Sequence, residues 1–419
     1  MSVESMSIRN WDISTIGTDA KIKGRIGWKG YKTSDLRDSG PVVLGGNNIR
    51  NSRYLDLDVI KHLSREKYDE SPEIQLKKSD ILLVTRGNGI GDVSFFNGEI
   101  DEATINPSMV IISEFQGIPE FLFYYLISKL GKDNVLSVSS GSSIPAIYQN
   151  QLAKVEYVKP PIPEQKAIAA TLSVLDDTIE LNNQINKKLE EMAQAIFNSW
   201  FVDFEPFKDG EFEESELGLI PKGWSVGKFT DYINVLSGGT PKTSVAKYWN
   251  GDIPFFTPKD SVNGFYCIKT EKCITEFGLN KCNSRKYEKD TVFITARGTV
   301  GKINLSGSNI AMNQSCYALQ GKNGLSQYFV FLLTKQCLEM LKKNANGAVF
   351  DSIIVNTFGA IRFMLPPREV INKFNTLIQP LFEMNHSCCM ETEKLVSLRD
   401  TLLPKLMSGE IRVPVKEAV

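Results

Sequence analysis

The chain has 419 residues, a formal net charge of −1, 42% hydrophobic residues and 23% charged residues. This composition is typical of a globular protein with two or three domains, and no apolar run approaches the roughly 18 residues of a membrane-spanning helix. Two histidines argue against a histidine-based triad or metal centre. The seven cysteines form no C-x-x-C pair, which indicates reduced thiols. Because the N-terminal sequence lacks a hydrophobic signal core, we expect a cytoplasmic location.

The charged residues are unevenly distributed along the chain. Residues 1–160 contain 19 basic and 20 acidic residues, whereas residues 223–366 contain 17 basic and nine acidic ones. Between them, residues 203–216 carry seven acids and a single lysine. The pattern predicts a neutral domain, an acidic connector that is most simply a solvated linker, and a basic domain. A neutral domain can still bind DNA when its basic residues share one face.

Alternating apolar runs between Gly, Asn and Pro predict that the first domain is mixed α/β. Its expected elements are strands at 41–49, 80–85, 93–97 and 108–113, a helix at 120–130, a loop at 137–143 and a last strand at 152–158. The second domain repeats this order with strands at 253–257, 291–295, 302–305 and 314–319, a helix at 327–341, a loop at 344–347 and a last strand at 361–365. A repeat of this length predicts duplication of a whole domain, not a solenoid.

Each domain is followed by a sequence with the heptad periodicity of a coiled-coil helix. Positions spaced by seven recur in residues 164–200, and they recur again 206 residues later without an insertion. The predicted seam consists of Ile168, Leu172, Leu175, Ile179, Asn182, Asn186, Leu189 and Ile196 in the first helix, and Phe374, Ile378, Leu381, Asn385, Leu395 and Leu402 in the second. Polar residues in mid-seam commonly fix the register. We expect the two helices to pair antiparallel within one chain, because a parallel pairing would require the long second domain to span back along them.

Residues 85–91 (TRGNGIG) and 295–302 (TARGTVGK) are matching strand-to-loop turns. Glycines let a backbone approach a ligand closely, and an arginine beside them can contact phosphate or guanine. The alternative is a tight turn whose arginine forms a structural ion pair. Neither turn is a Walker or dinucleotide-binding motif.

Asn106 and the pair Asn313-Gln314 precede matching strands, and such amides can read adenine. For Asn106 a turn-capping role is the favoured interpretation, because Pro107 follows it. The loops at 139–142 and 344–347 could offer hydroxyls and amides to phosphates, or could be plain surface loops. Paired carboxylates in a convincing turn, a G-x-S-x-G motif and a methyltransferase tetrad are all missing from the sequence, which argues against an enzyme.

Several segments resemble the DNA-specificity subunit of type I restriction–modification enzymes. They are 197–207 (FNSWFVDFEPF), 216–224 (ELGLIPKGW), 237–243 (SGGTPKT), 248–254 (YWNGDIP), 295–301 (TARGTVG) and 402–412 (LLPKLMSGEIR). The resemblance covers essentially the whole chain. In the first domain, residues 25–30 (RIGWKG) replace the SGGTP opening.

The resemblance implies an α/β (α+β) fold with two target-recognition domains separated by two long antiparallel coiled-coil helices. The expected segments are a first domain (1–161), a helical spacer (162–203), an acidic connector (204–222), a second domain (223–367), a second spacer (368–409) and a tail (410–419). Each domain would read one half of a bipartite site in double-stranded DNA. The spacers would set the gap and dock two methyltransferase subunits, which restriction subunits would join.

The resemblance also implies that S-adenosylmethionine, ATP and Mg²⁺ belong to those partners, and that this chain is a non-catalytic recognition subunit without a cofactor or metal. The motifs and the resemblance together select candidate DNA-contacting residues. In the first domain these are Lys29, Thr85, Arg86, Asn88, Asn106, Ser140, Ser142 and Tyr148. In the second they are Thr240, Lys242, Thr243, Lys259, Arg297, Thr299, Lys302, Asn313, Gln314, Asn346 and Phe350.

Two other classes of protein are compatible with parts of the sequence. One is a fused restriction–methylation polypeptide, against which the missing methyltransferase tetrad, the missing Walker loop and the chain length all argue. The other is a coiled-coil scaffold with two protein-binding domains, against which the basic second domain argues. The recognised bases cannot be read from the sequence, because groove contacts depend on the placement of loop side chains.

Overall fold

The computed structural model describes residues 11–25, 30–141, 145–344 and 353–414. The chain divides into two compact bodies, one within residues 1–180 and 394–419 and the other within residues 181–393. The division passes through two long helices. Each body therefore contains one globular domain together with a part of each helix.

The described part of the first body contains nine strands and five α-helices before the long helix α6. Its strands are β1 (Asp12–Thr15), β2 (Lys21–Gly24), β3 (Leu36–Leu44), β4 (Lys61–Leu63), β5 (Ile81–Val84), β6 (Val93–Phe95), β7 (Ala103–Ile105), β8 (Met109–Ser113) and β9 (Glu156–Lys159). Its helices are α1 (Ile16–Asp19), α2 (Arg65–Asp69), α3 (Pro119–Ile127), α4 (Lys129–Ser137) and α5 (Gln149–Leu152). Helix α6 (Ile162–Phe201) then begins in this body.

Three small sheets organise the first domain. The antiparallel sheet has the order β2-β8-β5-β6, and β1 pairs separately with β9. In the third sheet, β3 is antiparallel to β4 but parallel to β7. Strand β5 (ILLV) and helix α3 are buried almost throughout, because both pack inside the apolar core of the domain.

The second body contains twelve strands among its described residues. They are β10 (Phe212–Ser215), β11 (Gly218–Pro221), β12 (Ser225–Lys228), β13 (Ile233–Ser237), β14 (Trp249–Phe256), β15 (Tyr266–Cys267), β16 (Lys272–Ile274), β17 (Val292–Thr295), β18 (Ile303–Ser306), β19 (Ala311–Met312), β20 (Cys316–Gly321) and β21 (Arg362–Leu365). The helices are α7 (Phe229–Tyr232), α8 (Glu276–Leu279), α9 (Gln327–Asn344), α10 (Val355–Gly359) and α11 (Arg368–Met407), of which α11 ends in the first body.

The second domain repeats the strand pairing of the first. Its main sheet has the order β13-β20-β17-β18-β15, and β12 pairs with β21 as β1 pairs with β9. Strand β14 is antiparallel to β16 and parallel to β19, as β3 is to β4 and β7. The predicted duplication of a mixed α/β domain is therefore confirmed at the level of topology.

Three predicted elements of the first domain were wrong in detail. The strand expected at 41–49 runs instead from Leu36 to Leu44 and is followed by a 3-10 turn at Gly46–Asn48. The helix expected at 120–130 is broken at Ser128, whose hydroxyl accepts a hydrogen bond from the Gly131 N–H (3.2 Å) and so starts α4 as a new helix. The strand expected at 152–158 begins only at Glu156. Ahead of it, the Tyr148 N–H donates to the Gln151 side chain (3.0 Å) and supports the short helix α5.

The acidic connector contains regular structure. Strands β10 and β11 form an antiparallel hairpin, in which Phe212 faces Pro221 and Ser215 faces Gly218. Lys222 pairs with the exposed Glu211 at 2.5 Å. The connector is therefore a solvated hairpin with a largely exposed acidic surface, and not a plain linker.

The two long helices run antiparallel to each other in each body, as predicted. In the second body the Asn182 amide donates to Glu391 (2.9 Å), while the Phe201 and Phe374 rings lie 4.7 Å apart. In the first body the Arg399 guanidinium donates to Asp176 (2.9 Å). None of the predicted seam residues is exposed, and Ile168, Leu172, Asn182, Leu189, Phe374, Ile378 and Asn385 are buried.

The mid-seam asparagines lie together in the second body. The Asn385 amide donates to the Asn186 carbonyl (3.4 Å) and to the Glu190 carboxylate (3.3 Å). Glu190 also accepts the Phe265 N–H (2.9 Å), which ties the helix to the domain. Burial raises the pKa of Glu190 above its usual range. These polar contacts fix which residues of the two helices face each other.

All seven cysteines are free thiols. Burial raises the pKa of Cys267 and of Cys337 to about 12, so these thiols stay protonated at neutral pH. No helix in the described part of the chain combines the length and the apolarity needed to cross a bilayer.

Candidate nucleic-acid interface

The glycine turn of the first domain follows β5 and projects an arginine. Thr85 is buried, and its N–H and hydroxyl both donate to the Ser108 carbonyl at 2.8 and 3.0 Å. Gly87 and Gly91 have φ values of 93° and 83°, a left-handed conformation that favours glycine. The Thr85 side chain thus anchors the turn, while Arg86 and Asn88 are exposed at its tip.

A second loop of the first domain lies beside Arg86. The Ala146 backbone forms β-bridges with both Arg86 and Ser140. The Arg86 guanidinium lies 5.8 Å from the centre of the Tyr148 ring, and Tyr148 is 49% exposed. The structure therefore brings together Arg86, Ser140 and Tyr148, which are 62 residues apart in the sequence at their extremes. A cation on an aromatic face is held in place without losing its charge.

The second domain builds the same turn after β17. The Thr295 N–H donates to the Lys302 carbonyl and the Gly301 N–H to the Thr295 carbonyl, both at 2.9 Å. Gly298 and Gly301 have φ values of 82° and 81°. Arg297 is exposed and, among the described residues, makes no ion pair. A structural ion pair is therefore not what holds this arginine.

Several polar side chains lie around the second turn. The Thr299 hydroxyl lies 3.4 Å from the Pro258 carbonyl, and the Lys302 ammonium lies 3.4 Å from the Asn263 amide oxygen. Exposed Lys259 follows Pro258 directly. Backbone N–H groups, hydroxyls and ammonium groups in this arrangement can donate to phosphate oxygens.

The SGGTPKT segment is held against the turn between β19 and β20, which contains the Asn-Gln pair. A Cβ atom at Gly238 would lie 2.2 Å from the Asn313 carbonyl oxygen, so only glycine permits this approach. One step further along, the Thr240 hydroxyl donates to the Gln314 side chain. Lys242 and Thr243 are exposed just beyond. These four candidate residues therefore belong to one surface.

Asn106 and Asn313 have the same local role in the two domains. The Asn106 side-chain oxygen accepts the Ser108 N–H, and the Asn313 side-chain oxygen accepts the Ser315 N–H, both at 3.0 Å. Both residues are half-buried. This geometry is that of a turn cap, as expected for Asn106, and it engages the oxygen that adenine readout would use. A role of either residue in DNA binding stays a prediction.

Four candidate residues, Lys29, Ser142, Asn346 and Phe350, lie outside the described residues. The sequence analysis also missed a cluster of the second domain in which Lys247 and Lys281 lie over the exposed Phe277 ring. The sequence carries no signal for this cluster, because Lys247 and Phe277 are distant in the chain and meet only in the folded domain. No group of three His, Cys, Asp or Glu side chains within the described ranges is placed to hold a metal ion.

Fold and surface together define a class: a duplicated mixed α/β recognition protein whose two domains present equivalent arginine turns and are each followed by a 40-residue helix. The model of the type I restriction modification DNA specificity domain matches residues 9–191 and 221–377. The chain belongs to this family.

Named relatives are similar to nearly the whole chain. The type I restriction enzyme MjaIX specificity subunit of Methanocaldococcus jannaschii is 27% identical over 97% of this chain and 94% of its own length. The HindI specificity subunit of Haemophilus influenzae is 24% identical over 92% of this chain and 99% of its own. The crystal structure of the S subunit from M. genitalium superposes with a TM-score of 0.61 at 17% identity, covering 95% of this chain and 96% of that one. That similarity establishes the shared fold.

Proposed function

We propose that this protein is the DNA-recognition subunit of a type I restriction–modification system, and that each domain reads one half of a bipartite site. The observation that carries the proposal is the duplication of a whole reader. Both domains share one strand topology, and both place an exposed arginine on a glycine turn after the equivalent strand. The loops around the two turns differ, as two readers of different base sequences require.

The two long helices are proposed to dock two methyltransferase subunits. Each helix has several large apolar side chains exposed on the surface away from its seam. A docked subunit would remove these side chains from water. They are Val174, Leu181 and Met192 in α6, and Leu377, Met384 and Leu398 in α11, with exposed fractions of 47–63%. Restriction subunits would join this core. The methyl donor S-adenosylmethionine, ATP and Mg²⁺ are proposed to bind to those partners.

The experiment is methylome sequencing of a host that carries this chain together with its modification subunit. We expect methylation at a motif of two specific parts separated by an unspecified gap. We also expect the purified chain alone to neither methylate nor cleave DNA. A contiguous motif would contradict the assignment of one half-site to each domain. Methyl transfer by the chain without a partner would contradict its role as a non-catalytic subunit.

A further inference from the structure

An exposed aromatic ring on α8 of the second domain is surrounded by lysines. Phe277 is 45% exposed. The Lys247 ammonium lies 4.7 Å from the centre of its ring, and the Lys281 ammonium lies 5.8 Å from it. The Tyr248 ring also packs against it, with a centroid distance of 5.4 Å. We call Lys247, Tyr248, Phe277 and Lys281 the basic platform.

The backbone under the platform is fixed by hydrogen bonds. The Thr275 hydroxyl donates to the Lys247 carbonyl (2.9 Å), and the Thr275 N–H donates to the Tyr248 carbonyl (3.0 Å). A Cβ atom at Gly278 would lie 2.4 Å from the Tyr248 carbonyl oxygen, so α8 touches the 247–248 backbone directly. The two lysines are therefore presented from two backbone segments that are held together.

The platform is continuous with the candidate DNA surface. Residues 282–285 lead from Lys281 to the SGGTPKT segment, where a Cβ atom at Gly239 would lie 2.6 Å from the Asn283 nitrogen. The Ser284 hydroxyl accepts the Met312 N–H (3.1 Å), beside the Asn-Gln pair. On the other flank, the Trp249 indole donates to the Lys242 carbonyl (3.2 Å). A ligand seated on Thr240 and Gln314 would therefore reach the platform without leaving the surface.

The charge of the platform is not neutralised within the domain. Neither Lys247 nor Lys281 forms an ion pair in the part of the chain that the structure describes, whereas the nearby Lys286 pairs with Glu276 at 3.4 Å. Residues 242–286 contain eight basic and four acidic residues. A fixed, unpaired positive surface beside a DNA reader is complementary to the phosphate backbone.

The corresponding surface of the first domain is neutralised. Helix α2 follows β4 as α8 follows β16, and Ser64 caps it as Thr275 caps α8. The Arg65 guanidinium, however, binds Glu102 through two hydrogen bonds of 2.7 and 2.6 Å, and Lys67 binds Glu70 at 2.5 Å. The aromatic ring of this helix, Tyr68, is buried. Residues 32–70 contain seven basic and seven acidic residues.

We propose that the basic platform binds backbone phosphates next to the second half-site, and that the second domain therefore supplies most of the sequence-independent affinity for DNA. The two domains then contribute unequally. The first domain has exposed Arg86 but no basic platform, while the second also holds the duplex through the platform. This inference rests on the proposed function, because it assumes that the adjoining Thr240–Gln314 surface faces DNA.

The test compares two matched double variants in the complex of this chain with its modification subunits. Lys247→Gln/Lys281→Gln removes the platform charge, and Arg65→Gln/Lys67→Gln removes two charges from the equivalent helix of the first domain. Affinity for a duplex with the methylated motif, and for one without it, is measured between about 50 and 200 mM salt. Each lost phosphate contact makes the plot of log affinity against log salt less steep by about 0.9. For the platform variant we expect the steepness to fall by about 1.8 on both duplexes, so that its loss of affinity over this salt range is about twelvefold smaller than that of the parent.

The first-domain variant is expected to keep the slope of the parent. An unchanged slope in the folded platform variant, or an equal decrease in both variants, would overturn the inference. Phe277→Leu gives a further check, because it keeps an apolar side chain but removes the ring that orients the ammonium groups, and we expect it to weaken binding to both duplexes. If the parent complex does not distinguish the two duplexes, the proposed function itself fails. The salt slopes of the two variants test the platform inference separately.

Discussion

The two arginines on the glycine turns are the equivalent candidate DNA contacts of the two domains. Both are exposed at the tips of turns whose threonine and glycine residues are committed to holding the backbone. Arg86 is additionally oriented by the Tyr148 ring. We favour phosphate contacts over base contacts for both arginines, because a glycine turn lets the backbone come close to an anion.

For Arg297→Ala, we expect weaker binding to all sequences and a salt slope reduced by about one, because a phosphate contact carries no base specificity. Binding of the assembled methyltransferase complex to specific and non-specific duplexes across a salt series measures both quantities. Arg297→Lys is the control, since it keeps the charge and should restore most of the slope. An Ala variant that is folded but has the affinity and slope of the parent would show that the arginine is structural.

Asp80 directly precedes strand β5, which leads into the first turn, and it gives the first domain a pH dependence. Burial raises the pKa of Asp80 to about 6, although its carboxylate accepts the Lys77 N–H at 2.8 Å. In the unfolded chain the carboxyl ionises near its ordinary value of 3.8. The folded domain therefore favours the protonated carboxyl. The stability that this protonation contributes is fully present below pH 3.8 and is lost as the pH rises through about 6.

We expect Asp80→Asn to remove this dependence, because the amide oxygen can still accept the Lys77 N–H but cannot ionise. The melting temperature of the variant relative to the parent should rise between about pH 4 and pH 6.5 and remain level above that range. Exposed Asp101→Asn serves as the control and should show no such trend. A constant difference between Asp80→Asn and the parent across this range would contradict the burial argument.

At the scale of elements, the long helices are held by a few charged contacts besides their apolar seam. In the first body Asp176 of α6 accepts hydrogen bonds from Arg399 of α11 (2.9 Å) and from Tyr124 of α3 (2.7 Å). The Asp176 side chain is 4% exposed. One carboxylate thus joins both helices and the domain, and removing its cation would leave a buried charge without compensation.

Arg399→Met should destabilise the first body by on the order of 3 kcal/mol, because the charge of Asp176 would then remain buried and unpaired. Adding Asp176→Asn should recover part of the loss, since the neutral amide can still bond to Tyr124. Urea unfolding of the single and double variants measures both effects. Equal stability of Arg399→Met and the parent would mean that solvent reaches Asp176.

The sequence predicted these elements unevenly, for physical reasons. Helices α6 and α11 were predictable because a heptad pattern over 40 residues is long enough to exclude chance, and β5 was predictable as an unbroken apolar run. Strands β4 and β7 were not, because each has three residues and is held by pairing with β3, which is distant in the chain. The break at Ser128 was missed because its apolar neighbours continue a helical pattern through the capping residue.

The candidate site was predicted as two turns but not as a surface. Arg86 and Arg297 were found because the glycine turns repeat in the sequence. The contacts of Arg86 with Tyr148 and of Thr240 with Gln314 depend on how loops meet, which one sequence does not show. The same holds for Phe277 and Lys247, which are 30 residues apart and meet only through the packing of α8.

At the scale of the whole molecule, the helices are proposed to set the gap between the half-sites. Asn186 contacts Cys389, and Glu190 contacts Asn385, so the paired positions for an insertion are known. Adding one heptad after Lys187 and another after Ser387 would keep the seam in register. The rise of seven helical residues is roughly 10 Å, which corresponds to about three base pairs.

We expect the gap of the methylated motif to lengthen by about three base pairs while both specific parts stay the same. Methylome sequencing of cells that carry the extended chain measures the gap. An insertion of one heptad in α6 alone is the control and should abolish methylation, because it leaves the two helices unmatched. A gap that is unchanged in the doubly extended chain would refute the role of the helices in spacing.

The most direct test of the central claim, that each domain reads its own half-site, is the exchange of one domain. Residues 223–367 would be replaced by the matching segment of a relative with a different methylated motif, with both helices kept, and the methylome would be sequenced. We predict that one specific part changes to that of the relative, while the other part and the gap stay as in the parent. A motif in which both parts change, or in which neither changes, would contradict the account.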